Sequence, residues 1–273
     1  MIKLSISTLG CPDWTLSEIL NNVSSYGYDA IELRGIGEDL DLWNAWAFSN
    51  PANIAQTRVD FANAGLDICA IDSSASLAAG DAVGRRAQIE HGKRTIELAV
   101  MLNVPFVRVF GGNRNEDLSP EDANSVVVAA LQELGEYAAD SGGDVTVVLE
   151  THDAYSTGAS VAKVLKQVAS PDVAALWDLH HPYRQGETPE ETYAALKTLV
   201  RMTHVKDSKP GGTYCLLGEG DIPIKSMLAL LKHGHYDGYL SLEWEKRWLP
   251  DLLPPEIAFP QYVHKLRQYL SEV

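Results

Sequence analysis

Short apolar runs alternate along the whole chain with longer segments whose apolar positions recur every three or four residues. The runs read as strands at Lys3 to Ser7, Ala30 to Arg34, Asp67 to Asp72, Phe106 to Phe110, Val145 to Glu150, Val173 to Asp178, Met202 to Lys206 and Tyr239 to Glu243. Between them the pattern predicts helices over Thr15 to Tyr26, Pro51 to Ala64, Arg85 to Leu102, Pro120 to Ser141, Gly158 to Ala169, Pro189 to Leu199 and Ile222 to His233. Pro255 to Leu270 closes the series. In Ser119-Pro120-Glu121-Asp122 a capping hydroxyl precedes proline at the first helical position. Gly27 and Gly234 stand where helices stop. Strand–helix units repeated without a linker predict a single (β/α)8 TIM barrel over residues 1–273. A doubly wound sheet is disfavoured, since Gly111-Gly112 and Gly211-Gly212 are isolated pairs and no G-x-G-x-x-G is present.

In such a barrel chemistry gathers at the C-terminal strand ends, and four consecutive predicted strands end on ionisable residues. The fifth ends on Glu150, followed by His152 and Asp153, and the sixth on Asp178, followed by His180 and His181. The seventh carries His204, Lys206 and Asp207, and the eighth Glu243 and Glu245, two apart and so on one face. A strand-end carboxylate taken alone is usually a solvated cap, and a lone histidine is more often a core residue. Four at equivalent positions point to a divalent metal, because carboxylates gathered in a low-dielectric cavity need a cation or must protonate. Glu150, Asp178, His204 and Glu243 would form an oxygen-rich site with one imidazole, suited to Mn2+ first and also to Mg2+, Co2+ or Zn2+.

Composition narrows the partners. The formal charge of −15 disfavours nucleic acid. Cys11, Cys69 and Cys215 are odd in number and widely spaced, which fits a reduced compartment without a disulfide framework. The N-terminus lacks signal-peptide character and no apolar run is long enough to span a bilayer, so a cytoplasmic protein without membrane contact is expected. Homo-oligomerisation is left open.

Leu149-Glu150-Thr151-His152-Asp153, Trp177-Asp178-Leu179-His180-His181, Thr203-His204-Val205-Lys206-Asp207, Leu217-Gly218-Glu219-Gly220-Asp221 and the run Gly238 to Glu245 occur in this order. In them the chain resembles the sugar phosphate isomerase/epimerase superfamily of xylose isomerase-like TIM barrels, which includes ketose 3-epimerases, inosose dehydratases and 3-dehydroshikimate dehydratases. The resemblance implies one divalent metal on Glu150, Asp178, His204 and Glu243, with His181 contacting substrate. The more distant endonuclease IV needs further histidines after the third and fourth strands, where Ile71 to Ser74 and Phe110 to Asn113 have none. A nuclease is therefore not expected.

The expected reaction is isomerisation or epimerisation of a small carbohydrate by proton abstraction beside a metal-bound carbonyl, through an enediolate. In ketose 3-epimerases two metal-bound glutamates, here Glu150 and Glu243, act from opposite faces. In the dehydratase-like branches a histidine and a lysine placed like His152 and Lys206 serve as base and electrostatic stabiliser. A lyase on a keto-cyclitol, keto-sugar or dehydroshikimate-like compound is therefore the alternative, and a silent sugar-binding or partner subunit is the third. Arg108 and Arg247 are candidates to bind hydroxyls or an anionic group, with a structural ion pair the rival role for each. Trp14, Trp177, Trp244 and Trp248 could wall a sugar pocket or fill core, and the segment Gly35 to Asn50 is expected to cover the pocket.

Overall fold

The computed structural model describes residues 1–115 and 118–273. Its centre is a closed parallel barrel of β1 (Lys3–Ser7), β2 (Ala30–Leu33), β3 (Asp67–Ser76), β4 (Phe106–Phe110), β5 (Thr146–Glu150), β6 (Val173–Asp178), β7 (Val200–Val205) and β10 (Tyr239–Leu242). Strands buried on both faces read as near-continuous apolar runs, as Thr146-Val147-Val148-Leu149 and Val173-Ala174-Ala175-Leu176-Trp177 do. The outer ring is α1 (Leu16–Tyr26), α2 (Pro51–Ala64), α3 (Ala82–Leu102), α4 (Pro120–Asp140), α5 (Gly158–Val168), α7 (Pro189–Leu196), α8 (Ile224–His233) and α9 (Pro255–Glu272). The expected single (β/α)8 barrel is what forms.

Helix starts follow the side chains able to satisfy free N–H groups. Thr15 and Glu18 form a reciprocal capping box, and Ser119 accepts from Asp122 N–H ahead of Pro120. α3 begins three residues earlier than Arg85 because Asp81 caps Gly84. Two short elements were not expected: the single turn α6 (His181–Arg184) directly after β6, and the hairpin β8 (Asp207–Ser208) with β9 (Tyr214–Cys215) after β7. β7 also starts earlier than Met202, since Val200 pairs with Ala175.

The main core lies between barrel and helices, where Trp177 and Trp244 are fully buried. Trp177 faces Tyr193 of α7, and Trp244 packs against Tyr262 of α9 and donates to the Leu253 carbonyl. They fill core and do not wall a pocket. Inside the barrel a small second cluster contains Ala30, Ala70, Val148, Ala174, Leu176 and Met202. It forms the apolar floor beneath the strand ends.

The turn after β7 is locked by one carboxylate. Asp207 accepts from Ser208 N–H at 2.8 Å, Gly218 N–H at 2.8 Å and Gly220 N–H at 3.1 Å, while its own N–H donates to Tyr262 Oη at 2.9 Å. This is the structural meaning of Leu217-Gly218-Glu219-Gly220-Asp221, and it fixes the residue next to Lys206. A methyl group on Gly220 would stand 2.1 Å from Asp207 Oδ1 and 2.3 Å from the Ser208 carbonyl oxygen. Gly220→Ala is therefore expected to destabilise the fold by about 1–3 kcal/mol, lowering the melting temperature in a circular-dichroism scan by several degrees. An unchanged melting curve would show that the Asp207 turn is not held this tightly.

Candidate metal centre

Side chains alternate across a strand with period two. From the apolar floor the next inward positions are therefore Glu32 after Ala30, Asp72 after Ala70, Glu150 after Val148, Asp178 after Leu176 and His204 after Met202. Arg108 follows Phe106, and Ser241 follows Tyr239, in the same way. Register brings these levels together, since Asp72 pairs with Arg108 and His204 pairs with both Asp178 and Ser241. A charged layer thus sits directly on the floor, and every one of these ionisable groups is buried. One step higher come Arg34, His152, Lys206 and Glu243, and then Glu245.

Glu150, Asp178, His204 and Glu243 can each offer one ligand atom such that all lie within 4.8 Å of one another. His204 Nδ1 stands 3.4 Å from Glu150 Oε1 and 3.5 Å from Glu243 Oε2. Its other nitrogen, Nε2, is 2.8 Å from Glu32 Oε1. That bond fixes the ring and leaves Nδ1 for a metal, the carboxylate–histidine support common behind metal ligands. Neither oxygen of Glu150, nor His204 Nδ1, has a hydrogen-bond partner, although all are buried. Buried lone pairs of this kind are costly unless a cation meets them. The donor set fits a divalent ion of the Mn2+, Mg2+, Co2+ or Zn2+ type.

Electrostatics show how the layer stands without that ion. Burial alone would neutralise His204, but Glu32, Glu243 and Glu150 hold it well above the ordinary imidazole range. Burial likewise disfavours the Lys206 ammonium, which Asp178, Glu243 and Glu245 keep charged. Lys206 Nζ lies 2.7 Å from Asp178 Oδ2 and 3.0 Å from Glu245 Oε1, and it also binds Glu243 Oε2. Lys206 is thus an inner member of the group and not a surface lysine. Burial and the adjacent Glu32 push Asp72 well above the usual carboxylate range, so Asp72 and Glu32 share the cost of lying side by side.

The remaining expected residues separate into two sets. His152 and His181 stand with the centre: their rings meet edge-on at 4.8 Å, His152 Nδ1 is 3.1 Å from Asp153 Oδ1, and His181 Nε2 is 3.5 Å from Asp178 Oδ2. Phe110 backs the His152 ring at 4.6 Å. Both imidazoles belong to one further potential ligand group with Glu150. Arg108 is buried and committed to Asp72 at 3.2 Å and Glu150 at 3.3 Å, which is the ion-pair role rather than a free substrate contact. Arg247 donates to the carbonyls of Gly37 and Glu38, tying two rim loops together. Trp14 packs edge-on against Phe259 and donates to Glu256, so its partners are in α9 and not in the centre. In the segment after β2, Trp46 is 73% exposed and Trp43 donates to the Arg94 carbonyl.

Glu32, Asp72 and Arg34 were not expected. The signal was available, because the parity that links Glu243 to Glu245 also puts Glu32 two residues from Ala30 and Asp72 two from Ala70.

A parallel eight-stranded barrel carrying acids and histidine at its strand ends defines the class of xylose isomerase-like barrels. The model of the xylose isomerase-like TIM barrel family matches residues 20–269, and the chain belongs to this family. Fructoselysine 3-epimerase of Shigella flexneri is 23% identical over 282 aligned positions, covering 99% of both chains. Among solved structures, the IOLI protein with a binding zinc atom superposes with a TM-score of 0.83 at 19% identity, covering 99% of both chains. The probable 3-DHS dehydratase AsbF from Bacillus anthracis gives a TM-score of 0.78 at 18% identity, covering 97% of this chain and 99% of the other.

If Glu32 orients His204, Glu32→Gln should weaken divalent-metal affinity by ~10–100-fold, measured by competition with a chromogenic chelator. Glu150→Gln, which alters a ligand itself, should weaken it more. Equal affinity in Glu32→Gln and the unmodified protein would remove the supporting role of Glu32.

Proposed function

We propose that the protein is a divalent-metal-dependent epimerase or isomerase of a small carbohydrate, acting by proton abstraction beside a carbonyl. The observation that carries this reading is the convergence of Glu150, Asp178, His204 and Glu243 over the barrel floor. The full-length likeness to a fructoselysine 3-epimerase supports it. A divalent ion on these four residues would supply positive charge where a substrate carbonyl gains negative charge as a neighbouring C–H is deprotonated.

The chain's own groups then divide the work. Glu150 ends β5 and Glu243 follows β10, three strands further round the ring. A sugar carbon seated between them meets one carboxylate on each face. One takes the proton, the electron pair moves toward the carbonyl oxygen, and the other in its acid form returns a proton to the opposite face, which inverts the carbon. Return to the neighbouring carbon instead exchanges aldose and ketose. Lys206 holds Asp178, Glu243 and Glu245 in place, while His181 lies where it can bind a hydroxyl.

A dehydratase or lyase on a keto-cyclitol, keto-sugar or dehydroshikimate-like compound is the second reading, favoured by His152. Its ring is held between Phe110 and His181, with Nδ1 on Asp153. That leaves a nitrogen base independent of the four ligands. In this case the abstracted proton is followed by loss of a β-hydroxyl as water.

Metal-loaded protein incubated with ketoses, inosose and 3-keto-sugars in D2O separates the two. Deuterium incorporation without loss of mass balance supports epimerisation or isomerisation, and released water with an unsaturated product supports the lyase. Glu150→Gln and Glu243→Gln should each lower exchange by ~10²–10⁴-fold with an unchanged far-ultraviolet spectrum. Undiminished exchange after chelation would end both readings.

A further inference from the structure

We infer that Arg34 is the anion anchor of the substrate pocket, so that the natural substrate is a keto sugar bearing a carboxylate or phosphate at the end away from its reacting carbonyl. The inference rests on the reading above, in which that carbonyl lies at Glu150, Asp178, His204 and Glu243.

Arg34 follows β2 in Glu32-Leu33-Arg34, so the alternation that turns Glu32 inward turns Arg34 inward one level higher. Its backbone is pinned: the N–H groups of Arg34 and Gly35 donate to Thr8 Oγ1 at 2.9 and 3.2 Å. The side chain is 7% exposed. Nη2 donates to Ser74 Oγ at 3.1 Å, whereas Nη1 is buried with no acceptor. Among the described residues Arg34 makes no ion pair. A buried guanidinium without a carboxylate partner is costly, and the cost is met when an anion accepts from it.

Three other arginines near the strand ends already have partners. Arg108 is committed to Asp72 and Glu150, Arg184 to Asp221 and Ser208, and Arg247 to two carbonyls. Asp72, Glu150 and Glu243 act on the Arg34 charge through space without bonding it, and burial beside Arg108 lowers it to about 10, still cationic at neutral pH. Glu150 and His204 Nδ1 likewise lack a hydrogen-bond partner, although Arg108 lies 3.3 Å from Glu150, and a cation is expected there. In ring order β2 stands four strands from β6 in either direction, so Arg34 faces Asp178 across the mouth. A molecule whose carbonyl end lies over β5 to β10 must reach across to Arg34. There the planar guanidinium suits a carboxylate or phosphate oxygen, and the Ser74 hydroxyl, which only accepts from Arg34, has its own proton to give to the same anion.

Titration calorimetry on the metal-loaded full chain tests this with D-fructose, D-fructose 6-phosphate and D-fructuronate as probes. One of the anionic ketoses should bind about 10–100-fold more tightly than D-fructose, and the two arms tell phosphate from carboxylate. Arg34→Met should erase the preference with an unchanged far-ultraviolet spectrum, and Arg34→Lys, which keeps charge without the fork, should retain part of it. Equal affinity for all three probes, or a preference that survives in Arg34→Met, overturns the inference. Deuterium exchange is scored separately. An Arg34-dependent preference without exchange on any ketose would remove the proposed reaction and leave the anchor, whereas exchange without the preference would do the reverse.

Discussion

The molecule is organised around one constraint: a layer of charged side chains must sit in the axis of a barrel whose floor is apolar. Glu32, Asp72, Glu150, Asp178 and Glu243 are buried together with Arg34, Arg108, Lys206 and His204. Such a layer survives only if its charges answer one another, because an isolated buried charge costs far more than one ion pair returns. The pairs are therefore cross-strand and specific. Arg108 bridges Asp72 and Glu150, Lys206 gathers Asp178, Glu243 and Glu245, and His204 lies between Glu32 on one side and Glu150 with Glu243 on the other. Burial and the adjacent Glu32 raise Asp72 in pKa, and the Arg108 guanidinium acts against them.

That arrangement also explains why the supports outside the barrel are so elaborate. Lys206 reaches three carboxylates only if the chain after β7 leaves the barrel in one direction. Asp207 enforces it by collecting three backbone N–H groups and by hanging its own N–H on Tyr262. A second support runs through Ser208, whose hydroxyl meets His180 Nε2 at 2.9 Å and Arg184 Nε at 3.1 Å. It ties α6 to β8 and so holds His181 next to Asp178. The glycines and the aspartate of this region serve geometry, and the buried Lys206 with its three carboxylates stands one residue away.

The strand–helix alternation and the convergence of Glu150, Asp178, His204 and Glu243 on the second half of the barrel were legible because they depend on local pattern: apolar runs ending in an acid or a histidine. Period-two parity carries further. It places Trp177 and Trp244 on the helix side, since each neighbours an inward acid, and it places Glu32 and Asp72 on the axis. What parity cannot give is which charges are already answered. Arg108, Arg247 and Arg34 look alike as strand-end or loop arginines. Only the fold shows that the first is shared by two carboxylates, the second is spent on loop carbonyls and the third has a donor left over. The single turn α6 was missed for a similar reason, being shorter than any periodic signal.

The two halves of the ring carry unequal chemistry, and the inequality has a direction. From β5 to β10 the strand ends gather acids and imidazoles around the Lys206 ammonium. From β1 to β4 the ends supply Thr8, Arg34, Ser73 and Ser74, above a lower layer in which Arg108 lies with Glu32 and Asp72. With Arg34 as the proposed anchor and the proposed cation across from it, such a mouth would sort ligands by orientation before any bond changes. A molecule with electron-rich oxygens at one end and an anion at the other can lie only one way round. In the proposed reaction that single orientation is what stereospecific proton transfer requires, because a carbon that could present either face to Glu150 would lose the distinction between the proton taken and the proton returned.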